Sequence, residues 1–218
     1  MAEPSDNSTE KHSETGSLHT GEGIVIDIGT GDGLFVYRSA QENPRKFFIG
    51  IDASPRPLEK ISEKIYRKPS KGGLPNVLFI QAAVEDLPPE LEAVGDEIHV
   101  HFPWGSLLRG VSEGDRLILK SLRRICAAGA LLEVVIGLDP LRDRSEIERL
   151  GLPPLSLTHI DSVLLPRYAD AGFEIIERGM LSASDWRNLH TSWAKRLQGN
   201  VNRSLLYLIA RADRSQTS

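Results

Sequence analysis

A glycine-rich turn and a distal acidic residue follow two apolar runs of this chain. The run Ile24–Ile28 leads into Gly29–Gly33, which has the pattern G-x-G-x-G, and the run Phe47–Ile51 ends at Asp52. Glycines let the backbone approach a ligand closely, and an acidic residue about 20 positions further on accepts hydrogen bonds from ribose hydroxyls. The pair predicts a site for an adenosine-containing cofactor. The alternative is an ordinary strand–turn–helix unit whose glycines serve packing.

Asp32, inside the glycine turn, favours one class of adenosine cofactor. A carboxylate at this position would repel a pyrophosphate, whereas S-adenosylmethionine (SAM) carries a cationic sulfonium and no phosphate. The sequence therefore favours SAM over NAD. A further acidic residue, Glu85, follows the apolar run Val77–Gln81. It either positions the adenine or stabilises the N-terminus of a helix, and both interpretations stay open.

The segment at the end of the fourth predicted strand, Glu97–Phe102, indicates what kind of atom would accept a methyl group. Phe102-Pro103-Trp104 offers no side chain that takes a proton from an exocyclic amine. This favours a ring nitrogen with a free lone pair, for which alignment and desolvation matter more than a general base. Trp104 and Trp193 could clamp an extruded base that becomes cationic on methylation. The alternative is that each tryptophan belongs to the core.

Strands and helices are predicted to alternate from Gly23 onward, which favours a mostly parallel sheet with helices on both faces. We predict seven strands near Ile24–Ile28, Phe47–Ile51, Val77–Gln81, Glu97–Phe102, Leu131–Gly137, Phe173–Leu181 and Ser204–Arg211. We predict helices over Leu34–Gln41, Pro57–Arg67, Asp115–Cys126, Ser162–Ala171 and Ser184–Leu197. Residues 1–22 are polar and predicted to be a disordered tail, residues 23–218 one domain, and residues 138–157 an insertion suited to substrate recognition.

Composition excludes several classes of protein. The 218 residues carry a formal net charge of −4, so any site for a polyanion must be a local patch. Cys126 is the only cysteine, which excludes a disulfide framework, and no Cys/His pairing predicts a metal site. No apolar stretch is long enough to span a membrane, and the first residues lack the order of a signal peptide. We therefore expect a cytoplasmic protein, and we expect it to be a monomer.

Two basic clusters provide the local patch that a polyanion would need. The first is Lys60, Lys64, Arg67, Lys68 and Lys71, and the second is Lys195, Arg196 and Arg203. In an acidic protein such clusters favour a compact, structured RNA over indiscriminate DNA binding. The alternative is that they are solvated helix faces.

Four of these motifs together resemble one family, the 16S ribosomal RNA adenine-N1 methyltransferases of the Kam and Npm type, which confer aminoglycoside resistance. They are Asp27–Gly33, Lys68–Leu74, Phe102–Leu108 and Ser192–Leu197. The resemblance implies a Rossmann-like SAM-dependent methyltransferase fold and methylation of N1 of a decoding-site adenine within the 30S subunit. It also implies that Trp104 and Trp193 hold the flipped adenine, with Ser106 and Thr191 supporting the site.

The resemblance also implies cofactor and RNA contacts. The candidate cofactor contacts are Asp27, Gly29, Gly31, Asp32, Asp52, Ala53, Ala83, Glu85, Phe102 and Ser106. The candidate rRNA contacts are Arg67, Lys68, Lys71, Arg149, Arg196 and Arg203. Arg149 is included because an inserting arginine of the family appears here as Leu150, with Arg149 beside it.

Three other functions stay open at this point. A tRNA (guanine-N7) methyltransferase also needs no strong general base, although its family carries a different motif after the fourth strand. A SAM- or RNA-binding protein without turnover would fit the polar N-terminal segment, where relatives have a hairpin and a short helix. A small-molecule methyltransferase would not need the two basic clusters.

Overall fold

The computed structural model describes residues 21–139, 141–181 and 204–214. Four of the predicted site residues lie outside them, namely Thr191, Trp193, Arg196 and Arg203. The same holds for the predicted helix over Ser184–Leu197 and for nearly all of the predicted polar tail.

Seven strands form a single, mostly parallel sheet. They are β1 (Ile24–Ile28), β2 (Phe47–Asp52), β3 (Val77–Gln81), β4 (Gly95–His101), β5 (Cys126–Leu138), β6 (Phe173–Leu181) and β7 (Ser204–Ala212). Their order across the sheet is β3-β2-β1-β4-β5-β7-β6. Strand β7 runs antiparallel to β5 and β6, and the other neighbouring strands are paired in parallel. The chain order reverses beside β1, and ligands of open α/β sheets bind at the carboxyl ends of the strands at such a switch point. The predicted fold class is confirmed.

Helices cover both faces of the sheet. They are α1 (Leu34–Glu42), α2 (Glu59–Ile65), α3 (Gly105–Glu113), α4 (Arg116–Ile125), α5 (Arg144–Leu150), α6 (Leu157–His159) and α7 (Leu165–Asp170). The π-helical segment Ile160–Leu164 joins α6 to α7, and single 3-10 turns occur at Arg56–Leu58, Pro69–Lys71, Val84–Asp86 and Pro89–Leu91. Successive strand residues enter different cores: Ile26 packs in the larger cluster and Val25 in the cluster under α1 and α2. Within the described ranges, none of these helices has the length and apolarity needed to span a bilayer.

Helix α4 shows how local sequence fixes an element. The Asp115 carboxylate accepts hydrogen bonds from the backbone N–H groups of Leu117 and Ile118, at 2.9 and 3.0 Å, and so caps the helix. The helix passes directly into β5 at Cys126, which is fully buried. Burial raises the pKa of this thiol to about 12, so Cys126 is a core residue and not a nucleophile.

Three of the described helices were not predicted from the sequence: α3, α5 and the single turn α6. Helix α3 begins at Gly105 and contains Gly110, and glycine is a poor helix former, so local propensity argues against it. Burial of Leu107, Leu108 and Val111 against the sheet decides its conformation instead. Helix α5 lies in the predicted insertion and places this segment against α3.

The loop between α2 and β3 is held in one conformation by close backbone contacts. The Tyr37 hydroxyl in α1 donates a hydrogen bond to the Gly72 carbonyl at 2.8 Å, and the Lys64 ammonium lies 4.0 Å from the centre of the Tyr37 ring. Gly73 is buried so tightly that a Cβ there would lie 1.6 Å from the carbonyl oxygen of Arg67. The loop that carries Arg67, Lys68 and Lys71 is therefore preorganised.

We expect Gly73→Ala to lower the free energy of unfolding by about 2–3 kcal/mol, because the methyl group must displace backbone and not a movable side chain. Urea unfolding followed by circular dichroism measures this. Gly129→Ala is the matched control, since a Cβ there meets no atom within 4 Å and only its φ of 78° is unfavourable, by about 1–2 kcal/mol. Equal losses in the two variants would contradict the close packing of this loop.

Candidate active site

A cavity of about 340 Å³ lies at the carboxyl ends of β1, β2, β3 and β4. Eight of the ten predicted cofactor contacts line it: Gly29, Gly31, Asp52, Ala53, Ala83, Glu85, Phe102 and Ser106. Trp104 also lines this cavity, as do Ile28, Ala82, Val84, Pro103 and Leu107, which the sequence did not single out. The segments that follow β1, β2, β3 and β4 thus meet at one site. This is the position expected for a ligand of an open α/β sheet.

Asp52 is held in place by two backbone donors. Its Oδ2 accepts a hydrogen bond from the Gly31 N–H at 2.8 Å, and its Oδ1 accepts one from the Ser54 N–H, also at 2.8 Å. Gly31 has a φ of 59°, which strains any residue with a Cβ, and a Cβ there would meet no atom within 4 Å. An ionised carboxylate has about four acceptor positions, so Asp52 retains capacity for ribose hydroxyls.

The other two predicted cofactor contacts do not line the cavity. Asp27 is 2% exposed and lies within β1, one residue before its end. Asp32 is exposed, and its Oδ1 accepts a hydrogen bond from the Leu34 N–H at 3.1 Å, at the start of α1. Their part in cofactor binding stays a prediction, and the position of Asp32 is compatible with a purely helix-terminal role.

The position of Glu85 is compatible with both interpretations drawn from the sequence, and both stay predictions. It lies in the first turn of the 3-10 helix Val84–Asp86, where an acidic side chain is favourable, and it also lines the cavity beside Ala83. Its side chain is exposed.

Trp104 is the exposed aromatic residue of the cavity wall. It is 52% exposed, so the alternative of a core tryptophan is wrong. The backbone around it is unusual, because Phe102 has a φ of 50° and Gly105 a φ of 58°, both left-handed. Trp104 itself is extended and stands at the N-terminus of α3, with Ser106 in the first helical turn. The turn therefore presents the indole ring towards solvent beside the cavity.

Behind this turn, two histidines near the end of β4 lie beside Glu133 of β5; His101 is buried, and His99 and Glu133 are partly buried. The rings of His99 and His101 stack with centroids 4.8 Å apart, and His101 Nε2 lies 2.6 Å from an oxygen of Glu133. Burial lowers the pKa of His99 to about 4, with a further contribution from His101, and burial raises the pKa of Glu133. Neither histidine lines the cavity. The cluster therefore lies outside the cavity, where the two rings pack against Phe35 in α1.

The basic loop is separate from the cavity. Arg67, Lys68 and Lys71 are exposed, and none of them lines the cavity or forms an ion pair within the described residues. Three unneutralised cations on a rigid loop suit contacts with phosphates, which position a nucleic acid without reading its sequence.

Comparison with known proteins decides the family. Residues 7–212 match the model of the NpmA family, 16S rRNA (adenine(1408)-N(1))-methyltransferase. The chain belongs to this family. The match confirms the resemblance that the four motifs predicted, and it begins inside the segment predicted to be a polar tail.

Individual family members are similar over most of their length. The 16S rRNA (adenine(1408)-N(1))-methyltransferase of Streptoalloteichus tenebrarius is 40% identical over 181 residues, which cover 83% of this chain and 82% of the relative. The enzyme of the same description from Escherichia coli is 38% identical over 182 residues, 83% of each chain.

Solved structures of the family share the fold. The crystal structure of the aminoglycoside resistance methyltransferase NpmB1 is 45% identical, with a TM-score of 0.76 and coverage of 89% of both chains. A mutant of the Catenulisporales acidiphilia 16S rRNA (adenine(1408)-N(1))-methyltransferase, solved with cosubstrate SAM, is 33% identical, with a TM-score of 0.80. The matched region covers 92% of this chain and 90% of the mutant's chain.

Within this member of the 16S rRNA methyltransferase family, Arg149 forms an ion pair inside its own helix, and its contact with rRNA stays a prediction. Its guanidinium donates two hydrogen bonds to Glu146 of the same helix, at 2.6 and 2.7 Å. The sequence could have indicated this pair, since residues three apart in a helix are neighbours. It could not indicate that α5 packs on α3, because that contact joins segments about 40 residues apart.

Proposed function

We propose that this protein transfers the methyl group of SAM to N1 of a decoding-site adenine in 16S rRNA of the 30S subunit, and so confers aminoglycoside resistance. The observation that carries the proposal is the cavity that joins the Gly29–Gly33 turn and Asp52 to the exposed Trp104. Family membership agrees with it. The proposal includes a monomeric enzyme acting where ribosomal subunits are found.

The residues of the cavity fit SAM. Open space at Gly31 leaves room for a ligand against the backbone, and Asp52 is oriented to accept hydrogen bonds from ribose hydroxyls. Glu85 and Ala83 line the side of the cavity that follows β3, where they would contact the adenine. Bound SAM supplies an electrophilic methyl group on its sulfonium.

The acceptor atom explains why this chain can do without a general base. Adenine N1 attacks the methyl carbon with its lone pair as the carbon–sulfur bond breaks, so the base becomes cationic and no proton moves in that step. The protein then has to align adenine N1 with the methyl carbon and to exclude water. Trp104 would stack on the extruded adenine, and its ring face would favour the developing positive charge. We propose Trp193 as the second face, with Thr191 and Ser106 supporting the site.

The exposed cations favour a large RNA particle as the substrate. Arg67, Lys68 and Lys71 lie on a loop apart from the cavity, so a substrate that reaches both must be extended. A structured ribosomal subunit meets this requirement and a free nucleoside does not. We include Arg149, Arg196 and Arg203 among the proposed contacts.

Methyl transfer from labelled SAM into purified 30S subunits, with primer extension to locate the product, tests the proposal. We expect one stop, at a decoding-site adenine. Absence of incorporation with intact SAM binding would overturn the proposal in favour of a binding protein without turnover. Incorporation into tRNA alone would favour a guanine-N7 enzyme.

We expect Lys71→Glu to weaken binding to 30S subunits because it removes a phosphate contact and adds repulsion. The slope of log K against log salt should become less negative by about 1. Binding measured at several salt concentrations gives both quantities. Lys120→Glu, an exposed lysine on α4, is the charge-matched control. An unchanged salt slope for Lys71→Glu would argue against a phosphate contact at this position.

A further inference from the structure

Phe102, the residue before Pro103 and Trp104, has a strained backbone beside the cavity. Its φ of 50° lies in the left-handed region, which residues with a side chain rarely adopt. Such conformations persist only where neighbouring contacts enforce them, and they are frequent at functional sites. The residues that hold Phe102 in this conformation therefore affect the shape of the cavity, which Phe102 lines.

Strand β5 contacts Phe102 at two points. The Phe102 N–H donates a hydrogen bond to the Val135 carbonyl at 2.8 Å, so the backbone stays attached to β5 one residue beyond the end of β4. The Phe102 ring lies against Gly137, where a Cβ would be 2.8 Å from Cε1 and 2.9 Å from Cδ1 of the ring. A side chain at position 137 and the ring of Phe102 therefore cannot both occupy this place.

The left-handed backbone of Phe102 directs its ring to Gly137. His101 is paired with Val135, and Gly137 lies two residues further along β5, so these three residues belong to one face of the sheet. In an extended strand, Phe102 would point to the opposite face. Its ring instead lies at Gly137, on the face of His101. The left-handed φ of Phe102 and the missing side chain at position 137 thus belong to one arrangement.

Glycine is otherwise unfavourable at position 137. Gly137 is buried inside β5, and its φ is not in the left-handed region. A glycine in a strand interior weakens the strand and often marks a place where another group approaches closely. The second near neighbour is Leu205 of β7, whose Cδ2 would lie 2.8 Å from the Cβ and belongs to the movable end of a side chain. Room for the Phe102 ring is therefore what glycine supplies here.

We propose that Gly137 is a positioning residue, which leaves room for the Phe102 ring and thereby fixes the wall of the cavity that Phe102 forms. Gly137 does not line the cavity itself, so it acts through Phe102. A side chain at position 137 would displace the ring and change the shape of the cavity. The contact is independent of any ligand, and its effect on SAM binding rests on the proposed function.

A spectroscopic measurement tests the contact without any ligand. The protein is labelled with 4-fluorophenylalanine, and Phe102→Ala assigns the fluorine resonance of Phe102 among the six phenylalanines. We expect Gly137→Ala to shift or broaden this resonance and Gly179→Ala to leave it unchanged. Gly179 is the matched control, because it lies in β6 of the same sheet and a Cβ there would also meet an aromatic ring, with Cε1 of Tyr207 at 2.6 Å. An unchanged Phe102 resonance in Gly137→Ala would overturn the proposal.

A double-mutant cycle, measured by calorimetric titration with SAM, tests the consequence for the cavity. We expect Gly137→Ala to weaken SAM binding by about 10-fold, because an added methyl group overpacks the site, and to leave KM for 30S subunits unchanged. In the Phe102→Ala background, where no ring has to move, the same substitution should change the affinity by less than about two-fold. A wild-type affinity in Gly137→Ala, or an equal loss in both backgrounds, would overturn the proposal.

Two further outcomes are distinguishable. If Gly137→Ala does not fold, as judged by circular dichroism, recovery of folding on addition of Phe102→Ala would support the contact and continued failure would count against it. Failure of the wild-type protein to bind SAM or to methylate 30S subunits would contradict the proposed function alone, because the fluorine resonance of Phe102 still reports on Gly137.

Discussion

Trp104→Ala is expected to lower methyl transfer to 30S subunits by about 100-fold and to leave SAM binding unchanged. Stacking of a base on an aromatic ring contributes about 1–3 kcal/mol, and each 1.4 kcal/mol corresponds to a factor of about ten in rate. The indole ring lies at the cavity wall and is half exposed, so its removal should affect the acceptor base more than the core. Single-turnover methylation measures the rate, and calorimetry measures the affinity for SAM.

Two variants distinguish stacking from a general loss of surface. Trp104→Phe keeps an aromatic face and should retain most of the activity. Leu117→Ala removes another exposed apolar side chain, at the start of α4, and should leave the rate unchanged. Wild-type activity in Trp104→Ala would refute the proposed role of this ring as a clamp for the base.

Asp52→Ala is expected to weaken SAM binding by about 100-fold, which corresponds to ~3 kcal/mol. The substitution removes the acceptor for the ribose hydroxyls, and it also removes the acceptor of the Gly31 and Ser54 N–H groups. The glycine turn would then lose one of its contacts with β2, while the N–H groups of Gly29 and Thr30 would still donate to the Ile51 carbonyl. Calorimetric titration with SAM measures the change directly.

The control for Asp52 is an acidic residue near the cavity that does not line it. Asp86→Ala removes an exposed carboxylate from the same 3-10 turn as Glu85 and should leave the affinity for SAM unchanged. Asp52→Asn keeps one carbonyl oxygen and should lie between the wild type and Asp52→Ala. An affinity in Asp52→Ala within a few-fold of the wild type would exclude a ribose contact at this position.

For some strands, the sequence pattern was sufficient to predict the first and last residues. The bounds of β1, β3 and β6 agree with the prediction. The runs of β1 and β3 consist mostly of large apolar residues, which favour a strand. Strand β6 lies at the edge of the sheet, and Phe173 is the one buried residue among its described side chains. The start of β5 was placed too late, at Leu131. Residues 126–130 are small and carry no strand signal, yet they continue the strand directly from α4.

The sequence likewise predicted some residues of the candidate site better than others. Gly31 and Asp52 could be predicted because their chemistry is specific to one kind of ligand and their spacing to one kind of fold. Asp32 was predicted alongside them, but its side chain contacts the start of α1 and does not line the cavity. Position in a motif therefore predicted the site and not the direction of each side chain.

By itself, the sequence determined the fold class, the cofactor class and the family, because these depend on local patterns: buried strands, a glycine turn with a distal acid, and four short motifs. Only the tertiary structure decided that Trp104 is exposed at the cavity and that α3 forms despite its glycines. It also decided that α5 packs against α3. These features arise from contacts between segments far apart in the chain, and no pattern within either segment specifies which neighbour it will meet.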